Sequence, residues 1–303
     1  MVNQSIIAKA RQGEAQIAMP HDFKQSLLQN GYIVWKLHDF EGYQLTDTPV
    51  MPDFANYVEK HNGDLHGALL RAHFDVGLWP VVYEGENNGH LIRHVCPLLT
   101  KADTISSQGG AHDFYPHVDN PDLRITGEAI KPRLGCCPDT LTLLCLRDEP
   151  GVNTSILLID EVLKRLDVET ITDLKRPEFQ VRRPESFENT IVIKSLPVLV
   201  KHKGLYYSRF DWHNVSGMTK AAEHALEKLR HTTLNNELWH NVPLVPGTAV
   251  TFLNQRTLHT RNAFTPRYDG TDRWLLRVFG IFNKPLRTQL LTPESCEHNL
   301  RTV

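Results

Sequence analysis

Two histidines, one aspartate and two arginines carry the chemistry that this chain suggests. His117 and Asp119 stand two apart in Pro116-His117-Val118-Asp119-Asn120. Much further along, Pro246-Gly247-Thr248-Ala249-Val250-Thr251-Phe252-Leu253-Asn254 leads to His259, and fourteen residues later Arg273 opens the run Arg273-Trp274-Leu275-Leu276-Arg277. Two imidazoles, a carboxylate and a guanidinium are the parts of a mononuclear Fe(II) centre served by a dicarboxylate co-substrate.

A histidine and an acid two apart on a strand project to the same face, so His117 and Asp119 can share one ion. His259 would complete a facial triad and leave three coordination positions open. The His-x-Asp pattern alone is weak: with sixteen histidines in the chain it also occurs by accident, as His73-Phe74-Asp75. That second copy falls in a region expected to be helical and is assigned a structural role. Arg273, Leu275, Arg277, Phe279 and Ile281 share one face of a predicted strand. Cations among apolar neighbours need anions, either internal ones such as Asp269 or Asp272, or bound carboxylates that a planar guanidinium grips in two parallel hydrogen bonds. Charge favours the second. Fe(II) with two neutral imidazoles and one aspartate carries +1, a chelating dicarboxylate keto acid brings −2, and Arg273 would neutralise the far carboxylate.

The elements that must position these groups are mostly short strands. A helix over 22–30 stops at Asn30-Gly31 and leads into the strand Tyr32 to Leu37. Two helical stretches are expected between Pro52 and Arg71. Further strands are expected at Leu141 to Leu146, Phe179 to Arg182, Thr190 to Ile193, Val198 to Lys201 and Leu205 to Phe210, with a helix from Ile156 to Leu166 between them. Thr219 caps a helix from Lys220 to about Leu234, with Ala222, Leu226 and Leu229 on one face. The last strands are Ala249 to Leu253 and Arg273 to Phe282. Many short strands, with helices at the front and in one insertion, predict a mainly β fold with flanking helices around a jelly-roll core.

The 303 residues, 41% hydrophobic and 22% charged, suit one soluble domain with a substantial core. We expect a helical N-terminal flank over about 1–105, the core over about 106–285 and a helical insertion at about 217–236. A net charge of −2 gives no reason to expect nucleic acid or an anionic membrane as partner. Met1 to Gln16 lacks the apolar segment of a secretory signal, and no apolar run is long enough to span a bilayer. Five cysteines without a Cys-x-x-Cys pair argue against a disulfide framework or zinc knuckle and for a reducing cytoplasm. No Gly-x-Ser-x-Gly or phosphate-binding glycine loop points to a hydrolase or a nucleotide enzyme.

The segment from Pro246 to Phe279 resembles the C-terminal signature of the clavaminate synthase-like, TauD-type Fe(II)/2-oxoglutarate oxygenases. Within that superfamily it is most similar to the free amino acid hydroxylases acting on asparagine, arginine and lysine. His117 with Asp119, the strand ending Leu144-Cys145-Leu146-Arg147, and Thr154 follow the same order, and the similarity runs from about Ser106 to Phe282. The resemblance implies a double-stranded β-helix (cupin-like jelly roll) in which His117, Asp119 and His259 hold Fe(II). It implies that Arg273 and Thr154 bind the 5-carboxylate of 2-oxoglutarate, and that Arg277 grips the α-carboxylate of a small amino acid substrate. Asp211, in Ser208-Arg209-Phe210-Asp211-Trp212-His213, stands where relatives acting on basic amino acids place an acid for the side chain; the alternative is a loop cap. His213 occupies the place of a second such acid, and Asp119 replaces the glutamate usual among these hydroxylases. The implied reaction uses O2 and 2-oxoglutarate to hydroxylate an unactivated C–H bond, releasing succinate and CO2. A carrier-tethered aminoacyl group, another small carboxylate, or a desaturase or cyclase outcome would use the same residues, and a catalytically silent jelly-roll binder is the reading from a different class. The stretch Arg124 to Asp139, longer than in the lysine hydroxylases, is expected to be either a lid or a plain surface loop. Oligomeric state is left open.

Overall fold

In the computed structural model, residues 17–18, 22–51, 63–102, 108–110, 112–129, 135–292 and 297–302 are described. In chain order the first strands are β1 (Ile17–Ala18), β2 (Tyr32–Leu37), β3 (Trp79–Tyr83), β4 (Ile92–Val95), β5 (Phe114–His117) and β6 (Thr140–Arg147). Next come β7 (Thr154–Leu158), β8 (Phe179–Arg182), β9 (Val192–Leu196), β10 (Leu199–His202), β11 (Leu205–Ser208) and β12 (Val215–Gly217). The last are β13 (His240–Val242), β14 (Thr248–Leu253), β15 (Thr257–Arg261), β16 (Trp274–Ile281) and β17 (Asn299–Leu300). Five α-helices accompany them among the described residues: α1 (Phe23–Asn30), α2 (Gly63–Asp75), α3 (Ile159–Leu163), α4 (Val168–Leu174) and α5 (Lys220–Thr233).

Two sheets make the jelly roll. The larger runs β1-β2-β14-β6-β16-β3-β17, with β4 also paired to β16, and the smaller runs β13-β7-β15-β5. Among these strands only β17 and β3 pair in parallel. Leu143, Val250, Leu275 and Phe279 of the larger sheet meet Ile156 and Leu258 of the smaller in one core. Strand alternation on β16 divides the protein. Leu275, Phe279 and Ile281 face that inter-sheet core, whereas Trp274, Leu276 and Val278 face a second cluster with Leu65, Leu69 and Leu70 of α2. β16 is buried throughout, as a central strand covered on both faces must be.

Local signals account for the element ends. Gly31 takes a left-handed φ of 82° and its N–H closes α1 on the Leu27 carbonyl at 2.9 Å. A β-carbon there would lie 2.6 Å from Leu158 Cδ2, so glycine is needed for both backbone and space. The Thr219 hydroxyl accepts the Ala222 N–H at 3.1 Å, capping α5, whose Ala222, Leu226 and Leu229 are buried. β2 buries Ile33, Trp35 and Leu37 and exposes Val34 and Lys36.

Three expectations change. Ile156, Leu157 and Leu158 are not helical: they lie in β7 between β13 and β15, and the helix that follows covers only Ile159–Leu163. The strand expected from Thr190 begins instead at Val192. Of the two helical stretches expected between Pro52 and Arg71, α2 is present, while 52–62 lies outside the described residues. Among the described residues no helix is long and apolar enough to cross a membrane.

Candidate metal centre and its cavity

Antiparallel pairing of β15 with β5 sets His259 directly opposite His117, with ring centroids 4.0 Å apart. The Tyr115 carbonyl accepts a hydrogen bond from His117 Nδ1 at 2.8 Å. That leaves Nε2 as the free lone pair, buried and without a protein partner. Nε2 lies 3.7 Å from one Asp119 oxygen, and His259 Nε2 lies 3.8 Å from the other. One ligand atom from each of the three residues falls within 4.8 Å of the others. Asp119 does not share a strand with His117 as the spacing suggested: β5 ends at His117 and Asp119 follows it in irregular chain.

Electrostatics favours the ligating form of His259 and Asp119. Burial, aided by neighbouring His117 and Arg277, pushes His259 down to about 3 and keeps it neutral, against the opposing pull of Asp119. Burial alone would raise Asp119, but Arg277, His259, His117 and Arg93 outweigh it and hold the carboxyl below its ordinary value. Two neutral imidazoles, an ionised carboxylate and no thiolate form a donor set suited to a divalent first-row metal such as Fe(II). The buried, unpartnered Nε2 of His117 is the atom that requires such a ligand.

The three groups open onto a cavity of about 480 Å³, walled on its apolar side by Val95, Leu141, Leu143 and Leu275. Arg273, immediately before β16, lies in the cavity wall with its guanidinium 3.0 Å from the Thr154 hydroxyl. Burial lowers it to about 10, so it stays a cation at neutral pH. Among the described residues no carboxylate pairs with it. Arg277, four residues on, bonds Glu86 and lies 3.7 Å from Asp119. Glu86 is 1% exposed and also faces Arg93 at 3.8 Å and the Asn120 side-chain amide at 3.3 Å.

The internal partners considered for the arginines are engaged elsewhere. Asp272 accepts the backbone N–H groups of Arg267 and Tyr268, and Asp269 accepts from Thr271. The actual partner of Arg277 is Glu86, which no sequence signal marks: in Glu84-Gly85-Glu86-Asn87 nothing separates it from solvated acids. Asp211 lines the cavity, but Oδ1 accepts the N–H groups of His213 and Asn214, and Oδ2 accepts the Asn214 amide. The carboxylate therefore caps its own turn. Burial pushes nearby His213 below its ordinary value.

No described residue between Arg124 and Asp139 lines the cavity, so the lid expectation fails for that described part. Ile125 and Cys137 are buried in the core instead, and Glu128 pairs with Arg209. Arg182, Pro184, Glu185 and Ser186 line the cavity instead. His73 is neither in the cluster nor in the cavity wall: its Nδ1 donates to the Leu69 carbonyl at 2.8 Å and its Nε2 accepts from Thr142 at 2.9 Å.

Comparison with known proteins agrees with this geometry. Residues 162–279 match the model of the taurine catabolism dioxygenase TauD, TfdA family. The chain is 36% identical over 205 residues to an L-asparagine oxygenase of Streptomyces coelicolor, a match covering 66% of this chain and 57% of that protein. It is 26% identical over 206 residues to an L-lysine 3-hydroxylase of Catenulispora acidiphila, covering 66% and 54%. The chain thus spans little more than half the length of these curated relatives. A solved asparagine oxygenase, in complex with Fe(II), 3-hydroxyasparagine and succinate, superposes with a TM-score of 0.77 at 25% identity, covering 100% of this chain and 96% of that one.

Proposed function

From the premise that this chain belongs to the clavaminate synthase-like, TauD-type Fe(II)/2-oxoglutarate oxygenases, we propose that it hydroxylates an unactivated C–H bond of a small L-amino acid, lysine-, arginine- or asparagine-like. One observation carries the reading: Arg273 is a buried cation with which no carboxylate among the described residues pairs, in the wall of the cavity that holds the His117, Asp119 and His259 ligand atoms. A buried unpaired charge is costly, and a co-substrate carboxylate is the partner this site lacks.

Fe(II), held by His117, Asp119 and His259, would with 2-oxoglutarate and O2 supply oxidative hydroxylation with release of succinate and CO2. Arg273 binds the far carboxylate of 2-oxoglutarate through its planar fork, and the Thr154 hydroxyl holds that fork in place. Arg277 receives the α-carboxylate of the amino acid, while Glu86 behind it fixes the guanidinium and balances its charge. Asp211 stands at the side-chain end with one acceptor position of Oδ2 still available. Val95, Leu141, Leu143 and Leu275 keep that wall dry, so the substrate carbon is held by shape rather than by solvent. The unpaired Cys96, Cys136, Cys137 and Cys145 support a reducing cytoplasmic setting.

The test is to reconstitute the protein anaerobically with Fe(II) and 2-oxoglutarate, admit O2, and screen the common amino acids for succinate release and a product one oxygen heavier. Turnover that no free amino acid stimulates would overturn the proposal.

A further inference from the structure

The metal-ligand reading leaves open what holds Asp119 in place. His117 and His259 are fixed by the β5–β15 ladder, but Asp119 lies beyond the end of β5 and outside any ladder. A strand residue is held by a neighbour that accepts its N–H and donates to its carbonyl. For Asp119, the side chain of Asn254 performs both tasks. Its Oδ1 accepts the Asp119 N–H at 3.0 Å, and its Nδ2 donates to the Asp119 carbonyl at 3.0 Å.

We propose that Asn254 is the positioning residue for the carboxylate ligand, a side-chain substitute for the missing strand partner. Asn254 is fully buried and follows β14 directly, so its own backbone is anchored in the larger sheet. Its Nδ2 also reaches the Pro138 carbonyl at 3.2 Å and the Cys137 sulfur at 3.4 Å, and the Cys137 thiol points to the same Asp119 carbonyl at 3.4 Å. The amide is therefore oriented from both ends. Its orientation is the only one that works: a flipped amide would set its NH2 against the Asp119 N–H and its oxygen against two carbonyls. Only four residues lie between Asn254 and His259, so one short stretch both supplies a ligand and places another. The next residue, Asn120, has a left-handed φ of 55° and donates to Glu86. A shift of Asp119 would thus reach the Glu86–Arg277 pair as well.

Gln255 provides a matched control. It is equally a buried amide, but it holds the Thr126 N–H and the Cys137 and Pro138 carbonyls rather than Asp119. The proposal rests on the metal reading above, and the experiment separates the two. Full-length protein stripped of metal is titrated with Mn(II), and binding is followed by loss of the free-ion EPR signal. Alongside, circular dichroism melts of the metal-free forms report the fold. Partners one step behind metal ligands typically change affinity by roughly 10- to 100-fold. Asn254→Ala should weaken Mn(II) binding on that scale, Asn254→Asp, which keeps the acceptor and loses the donor, by less, and Gln255→Ala by no more than about twofold, even where its melt falls as far. Should Asn254→Ala not fold, Asn254→Asp decides alone. Wild-type affinity in a folded Asn254 variant, or equal weakening in Gln255→Ala, would overturn the clamp. Absence of a saturable site in the wild type, or its survival in His259→Ala, would overturn the metal reading and the clamp with it.

Discussion

At the scale of single residues, the two arginines of β16 and its approach divide the labour of the cavity. Arg273 has Thr154 beside it and, among the described residues, no paired carboxylate, whereas Arg277 is already partnered by Glu86. Removing a charge-assisted hydrogen bond costs about 1.5–3 kcal/mol, or roughly 10- to 100-fold in an apparent constant. Arg273→Ala should therefore raise the 2-oxoglutarate KM by that factor and leave the amino acid KM nearly alone. Arg277→Ala should do the reverse. Steady-state kinetics with each substrate varied in turn checks this, and equal effects of both substitutions on both constants would refute the division. At this scale much was legible. His117 and Asp119 form a weak pattern alone but gain meaning from His259, Arg273 and Arg277 downstream, and period-two alternation put Arg277 with Leu275 and Phe279. Glu86 was not legible, because a buried acid and a solvated one look alike until the fold brings two guanidinium groups to it.

At the scale of elements, α5 offers the cleanest test of a local signal. The Thr219 hydroxyl accepts the Ala222 N–H, and Glu223 reaches back to the Gly217 N–H. Thr219→Ala should cost about 1 kcal/mol, the usual worth of a cap, with iron- and 2-oxoglutarate-dependent turnover unchanged. Chemical denaturation measures it, and a loss too small to resolve would mean that burial of Leu226 and Leu229 alone holds the helix. Elements with strong punctuation or clean periodicity, such as α1 ending at Gly31, β2, α5 and β14, were readable. β5 and β15, which carry both histidines, were not. β5 is four residues long and contains Pro116, tolerated because the strand lies at a sheet edge. β15 reads Thr-Leu-His-Thr-Arg, too polar to announce a strand. For Ile156 to Leu158 the apolar positions fit either period, and pairing between β13 and β15 decided for a strand, the helix starting only at Ile159.

At the scale of the whole molecule, the fold confines neutral imidazoles that acid will charge. Burial pushes His66 down to about 3 and both His73 and His94 to about 4. His73 ends a directed chain of hydrogen bonds across the larger sheet. Trp35 donates to Thr251 at 3.0 Å, the Thr251 and Thr142 hydroxyls lie 2.8 Å apart, and Thr142 donates to His73. A proton on His73 Nε2 would leave Thr142 facing a donor with no acceptor. The unfolded chain binds these protons near pH 6.5, whereas the folded chain resists them to about pH 4 for His73. Their contribution to stability is therefore complete above about pH 6.5 and is lost as pH falls toward 4. For His73 alone the loss is on the order of 3 kcal/mol. Urea melts of metal-free protein at pH 7.5, 6 and 5 would read it without interference from metal release. His73→Gln keeps a donor for Leu69 and an acceptor for Thr142 but does not titrate, so its stability should fall less steeply over that window. Parallel curves for the two proteins would show that the acid sensitivity of this fold arises elsewhere.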